Sequence, residues 1–324
     1  MRFRASPREA PRRTANDGRS GLNAWLDAFL PTFGLIALGV VLRARFIRDG
    51  AVWQGLETMT FWILLPALLV SSIASASLAA LPVGRLLAAT WLTLLVATGL
   101  ALAIARVTGV DRAAMTSIVQ GGIRYNTYIA LGIVSGLFGP QGLALGGVVS
   151  GLIVTGAQTI LAIVFVVSDG GRPSPRRMLV QTLKNPLLLA CLVGFALSAL
   201  GGMPPGIGAL VKSLGSASLA LGLLCVGAGL VLASLREKPV LQALVAALKL
   251  GIVPLVTLTL GRAFGLEGLP LAVVVLMMAM PTATTSYVMA RALGGDARLM
   301  AAIITIQHIV AVATLPLWVG MVAP

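Results

Sequence analysis

The chain has 324 residues, 58% of them hydrophobic and only 10% charged. A soluble domain carries about a quarter charged residues and needs a polar skin, so a soluble enzyme or binding module is excluded, and so is disorder, which requires low hydrophobicity. The net charge of +14 would point to nucleic acid in a soluble protein, but here the basic residues lie between apolar runs, where membrane orientation signals belong; the expected partner is the lipid bilayer, with no nucleic acid.

In chain order, residues 1–23 form a basic tail with six arginines. It has no apolar core of the kind a secretory signal needs and reads as a disordered, dispensable extension from an early start site. Ten apolar segments follow, at 24–42, 58–77, 86–105, 113–138, 141–167, 183–200, 210–233, 243–264, 268–292 and 297–321. A spanning helix takes about 20 apolar residues, so each is long enough for one pass. They are Leu/Ala-rich and do not alternate, which excludes an outer-membrane barrel. The longest connection, Ser168–Thr182, is polar and basic and falls after the fifth segment. It divides the chain into a first five-helix repeat, 24–167, a linker, 168–182, and a second repeat, 183–321.

The loops after spans 1, 3, 5, 7 and 9 hold 13 Lys and Arg, and those after spans 2, 4, 6 and 8 hold 3. By the positive-inside rule the first set is cytoplasmic. Both termini are then non-cytoplasmic, against the preference of the basic tail, and the protein is a multi-pass component of the inner (plasma) membrane. Five spans per half is an odd number, so the halves are inverted.

Spans 4 and 9 carry the least lipid-like sequence. Span 4 contains Gln120-Gly121-Gly122-Ile123-Arg124-Tyr125-Asn126-Thr127-Tyr128, and span 9 contains Met280-Pro281-Thr282-Ala283-Thr284-Thr285-Ser286-Tyr287. Proline and paired glycines weaken a helix. Irregular backbone at membrane depth survives only inside protein or beside a cavity. Matched interruptions in two halves mark the binding site of a secondary transporter, and half-helix N-termini there suit an anion. Arg124 is permanently charged and needs a partner, since the nearest acids, Asp27, Asp111 and Glu267, fall at span ends. The candidate substrate-binding residues are Arg124, Asn126, Thr127, Tyr128, Pro281, Thr282, Thr284, Thr285 and Ser286. Gln120, Gln158, Lys249, Gln307 and His308 are candidates for cavity lining or proton coupling; the stem of Lys249 also has the length to snorkel.

Enzyme chemistry finds no footing. Ser150-Gly151 follows Val148-Val149 and so fails the intramembrane serine-protease pattern, and no pair of aspartates lies within the spans. One histidine and two separated cysteines, Cys191 and Cys225, do not build a metal site. No Walker sequence is present. No cofactor and no metal are expected.

Several segments resemble one family. They are Phe61-Trp62-Ile63-Leu64-Leu65-Pro66-Ala67-Leu68-Leu69, Ile123-Arg124-Tyr125-Asn126-Thr127-Tyr128-Ile129, Asn185-Pro186-Leu187, Leu248-Lys249-Leu250 with Pro254, Pro281-Thr282-Ala283-Thr284-Thr285-Ser286-Tyr287-Val288 with Gly294-Gly295-Asp296, and Pro316-Leu317-Trp318. In this order the chain from about Leu30 to Val319 resembles the auxin efflux carrier family, including its bacterial malonate/malate-type members. The resemblance implies an all-α membrane protein of ten transmembrane helices in two inverted five-helix repeats, with broken helices crossing at spans 4 and 9. It also implies a scaffold part, a transport part and export or exchange of small organic anions, and it admits a homodimer. Span 4 has Arg-Tyr-Asn-Thr-Tyr in place of the Asn-Pro-Asn-Thr-Tyr of plant members, which leans from auxin toward a small carboxylate. Bile-acid sodium symporters share the wider architecture, but the spans show no acidic pair for sodium. A channel and a non-transporting sensor are the alternatives of other kinds.

Overall fold

The computed structural model describes residues 17–76, 81–171, 174, 176, 180 and 183–322, with side chains from residue 26. Among these residues the protein is helical, without a strand. The helices are α1 (Asp17–Val41), α2 (Gly50–Ala74), α3 (Val83–Val107), α4 (Arg112–Ile123), α5 (Thr127–Ser168), α6 (Pro186–Ala199), α7 (Ile207–Ala228), α8 (Pro239–Ala263), α9 (Gly268–Met278), α10 (Thr285–Ala292) and α11 (Ala297–Val322). Single π turns extend α1 at Leu42–Phe46 and lie within α2 at Thr60–Leu64 and α8 at Leu248–Ile252.

Seven stretches are long and apolar enough to cross a membrane, and one of these, Arg112–Ser168, runs to 57 residues. Pro186–Ala199 and Gly268–Met278 are apolar but shorter. The ten expected segments are thus largely helical, while length and composition single out seven. Residues 17–23 of the expected tail belong to α1; residues 1–16, and most of the linker 168–182, lie outside the described residues.

Polar residues at the ends of apolar runs start several helices. Asp49, Asp111, Asn126 and Asn185 each accept a backbone N–H from the first turn of α2, α4, α5 and α6, satisfying donors that a helix start leaves unpaired. Asp296 does the same for α11 through Leu299 N–H at 3.0 Å. Within α5 the chain reverses at Gly139, whose φ of 60° and ψ of −150° suit glycine. The two limbs, 127–138 and 140–168, come back to back. A Cβ on Gly146 would sit 2.9 Å from Val134 and 3.1 Å from Leu131.

The helices gather into two groups. α1, α2, α6 and α7 pack on one another; α3, α4, α8, α9, α10 and α11 form the other group, and α5 touches both. The α1–α7 contact is backbone on backbone. A side chain on Gly39 would strike the Leu224 carbonyl, and one on Gly227 the Ile36 carbonyl, the close approach that small residues permit in membranes. At the centre of the second group α9 is enclosed on every side, with Ala272 through Met278 wholly buried.

Candidate functional site

α4 and α9 each stop midway and resume as α5 and α10 after a short non-helical stretch. The first break spans Arg124–Asn126, with Arg124 at φ −75°, ψ 157° and Asn126 at φ −89°, ψ 107°. The second spans Ala279–Thr284. Gly121 and Gly122, expected to open the first break, are instead helical. They are small because the crossing is tight: a Cβ on Gly121 would lie 2.7 Å from Ile303 and 2.9 Å from Val245.

The two breaks bond directly to each other. Asn126 N–H donates to the Pro281 carbonyl at 2.8 Å, and Thr282 Oγ1 donates to the Gly121 carbonyl at 2.8 Å. Gln307, on α11, locks the pair: its Oε1 accepts Thr282 N–H at 2.8 Å and its Nε2 donates to Gly121 at 3.0 Å. His308 Nδ1 lies 2.7 Å from the Ile304 carbonyl, an acceptor, so this nitrogen carries the hydrogen. Its Nε2 then accepts from Asn126 Nδ2 at 3.4 Å. Lys249 is wholly buried, and its Nζ donates to the Met278 carbonyl at 3.0 Å. That carbonyl is the last of α9, where a helix end carries unpaired acceptors and negative dipole. Lys249 therefore caps the broken helix and does not snorkel.

Beside the crossing, between the two helix groups, lies a cavity of about 520 Å³. α2 supplies Gln54, Glu57, Thr58, Phe61, Trp62 and Leu65 to its wall; the first break supplies Arg124, Tyr125 and Asn126. Thr127, Tyr128, Thr284, Thr285 and Met289 complete the polar and thioether side, and Gln158 of α5 also reaches it. Arg124 Nη2 donates to Thr285 Oγ1 at 3.0 Å, and its Nη1 stands 3.7 Å from Met289 Sδ. Thr284 Oγ1 donates to Glu57 Oε1 at 3.4 Å. A second space of about 820 Å³ shares Phe61, Trp62, Gln158 and Met289 with the first and runs to Arg112, Asp169 and Lys184. Arg112 and Asp169 are ion-paired there.

Of the expected binding residues, Arg124, Asn126, Thr127, Tyr128, Thr284 and Thr285 line this cavity. Pro281, Thr282 and Ser286 are buried beside it, the first two held in the crossing bonds. Asn126 is only 2% exposed and spends its Oδ1 on Tyr128 and Ile129 N–H, at 3.1 and 3.2 Å, so the start of α5 is not left open for an anion. Gln158 lines the cavity; Gln120, Lys249, Gln307 and His308 do not.

Glu57 corrects the expectation that acids stand only at span ends. The apolar run starts at residue 58, but α2 begins at Gly50 behind the Asp49 cap, which puts Glu57 two turns inside. Asp49, a strong N-cap type, was the available signal. Tyr125 and the edge-to-face pair Phe61–Trp62, with ring centroids 5.8 Å apart, are further wall residues that polarity did not single out.

Comparison with known proteins finds membrane transport proteins. Residues 167–319 match a family described as "Membrane transport protein". An "Uncharacterized transporter" of Methanothermobacter thermautotrophicus is 25% identical over 295 residues, covering 90% of this chain and 96% of that protein. Both matches are to membrane transport proteins, and they support a membrane transporter rather than an enzyme. Within that class, the matches support the auxin efflux carrier-like family that the span motifs resemble.

Proposed function

We propose that the protein is a secondary transporter of small organic anions bearing a carboxylate, working by alternating access. The observation that carries this reading is Arg124 on the cavity wall at the first break, with no carboxylate among the described residues within ion-pair distance. An arginine in a span costs at least about 2.5–3.5 kcal/mol and keeps its charge. A carboxylate ligand matches its fork of donors. Thr127, Thr284 and Thr285 add directional hydrogen bonds.

Ten passes in two inverted repeats account for the helices. The reversal at Gly139 makes two passes of Arg112–Ser168, and α6 and the α9–α10 pair supply the two that length alone omits. The breaks fall in the fourth pass of each half. The group of α1, α2, α6 and α7 is then the scaffold and the remainder the moving part, with the ligand between them. Positive-inside orientation puts Arg112, Asp169 and Lys184 at the cytoplasmic face of the inner membrane, both termini opposite. The second cavity runs to that face, so this is the inward-facing state.

The test is radiolabelled counterflow in proteoliposomes with malonate, malate, succinate and indole-3-acetate, for wild type and Arg124→Ala. Saturable exchange that the variant loses, while still inserting as a monodisperse protein, is the expected result. Unchanged rates in Arg124→Ala remove the arginine from the mechanism, and unsaturable flux replaces the carrier with a channel.

A further inference from the structure

Arg124 and Glu57 are the charged residues on the wall of the 520 Å³ cavity. They face one space without forming an ion pair within 4.0 Å. Consecutive residues where the second break meets α10 hold them: Thr285 accepts from Arg124, and Thr284 donates to Glu57. Adjacent Cα atoms are about 3.8 Å apart, so cation and anion stand at neighbouring points of one polar strip. Gln54 and Thr58 flank the carboxylate. Around the strip the wall is apolar, with Trp62, Leu65, Val154, Leu187 and Val288.

We propose that the ligand of this cavity is a zwitterion, an α-amino acid with an apolar side chain, its carboxylate on Arg124 and its ammonium on Glu57. The inference rests on the reading that Arg124 receives a carboxylate, and it replaces the anion of that reading with a carboxylate of no net charge. The cavity's own charges sum to zero. A zwitterion keeps the sum at zero and gives both protein charges a hydrogen-bonded partner, which buried charge requires. A monocarboxylate leaves one negative charge uncompensated. A dicarboxylate leaves two and sets one of them near Glu57. Arg43 and Arg291 line a neighbouring space of about 530 Å³ that Glu57 also borders, but neither lies within ion-pair distance of it, and Arg43 donates instead to the Arg48 carbonyl. The bulk of the ligand then lies against Trp62 and the aliphatic wall, where burial of its CH₂ groups is favourable.

The experiment is counterflow in proteoliposomes with leucine, its deaminated counterpart 4-methylpentanoate, and succinate. Hydrogen bonds to charged groups contribute about 1.5–3 kcal/mol, so wild type should prefer leucine to 4-methylpentanoate by about tenfold or more, and leucine to succinate by a wider margin. Glu57→Gln should bring the first ratio close to unity and raise succinate exchange. A wild type that exchanges succinate or 4-methylpentanoate as well as leucine overturns the proposal, as does a Glu57→Gln protein that keeps the leucine preference. Should that variant fail to fold, the wild-type ratio decides alone. Exchange of carboxylates without amine preference defeats only this proposal; exchange of no carboxylate by folded protein defeats the transport reading as well.

Discussion

Gln307 shows how a polar residue in a span can be structural. Its amide ties both broken helices to a continuous one, through Thr282 N–H and the Gly121 carbonyl. Gln307→Leu leaves the Thr282 N–H buried without an acceptor, a loss of about 1–3 kcal/mol. The thermal midpoint in detergent should fall accordingly. An unchanged midpoint would mean that this donor finds another partner. Thr282→Val, which removes one of two donors to Gly121, should cost about 1 kcal/mol. Sequence pointed to all of these residues but not to their roles. Polarity in an apolar run flags Gln307, His308 and Thr282 equally with Thr285. Whether a hydroxyl meets a ligand or a carbonyl depends on which way the helix is rotated, and apolar residues on every side of α9 give no rotational cue. Glu57 was hidden for the opposite reason, since it lies outside the apolar run though inside the helix.

At the scale of elements, the breaks were legible and their chemical cause was not. Pro281 ends α9 as a residue without N–H should. In span 4 the glycine pair looked like the breaker, yet α4 carries both glycines and stops only at Arg124. The glycines answer to packing across the crossing, and Asn126, by capping α5, fixes where the helix resumes. The same packing logic governs α1 and α7. Gly227→Val places a branched side chain into the Ile36 backbone, where no rotamer relieves the clash. Overpacking a tight contact costs about 1–3 kcal/mol, and more where the obstacle is backbone. The expected outcome is loss of monodisperse protein on size-exclusion chromatography. Gly34→Val, at a glycine with open space around it, should elute as wild type; equal behaviour of the two variants would show that α1 and α7 do not depend on this approach.

At the scale of the whole molecule, the second helix group is tied at one end by charge. Lys238, just before α8, pairs with Asp296, just before α11, at 2.8 Å. Asp296 N–H donates to the Ala113 carbonyl at 3.0 Å and its carbonyl accepts from Ser117 at 3.0 Å, so α4 joins the same clamp. Burial alone would raise the Asp296 carboxyl. The Leu299 and Arg298 N–H groups and the Lys238 ammonium together outweigh it and hold the carboxyl below its ordinary range. The hydrogen bond to Asp296 in turn raises Lys238, against a smaller effect of burial. A lowered carboxyl contributes stability above its unfolded pKa of about 3.9, and that contribution disappears as pH falls through the folded value. A raised ammonium contributes below about pH 10.4 and loses its effect as pH rises through its folded value. The thermal midpoint of wild type minus that of Asp296→Asn should therefore be level across neutral pH and shrink below about pH 4. Both side chains reach solvent, so salt should reduce the difference too. A difference that does not change between pH 7 and pH 3 would exclude the clamp as the source.

The reversal at Gly139 bears on how the chain enters a membrane. As one straight helix, Arg112–Ser168 would measure about 85 Å at 1.5 Å per residue, nearly three hydrocarbon thicknesses of about 30 Å. Hydropathy alone does not tell the inserting chain where to turn back. A single residue able to adopt φ 60°, ψ −150°, followed by a proline, sets that point, and everything after it inherits its direction. On the proposed ten-pass reading, the direction of every helix from α6 to α11 follows from one backbone torsion late in the first half.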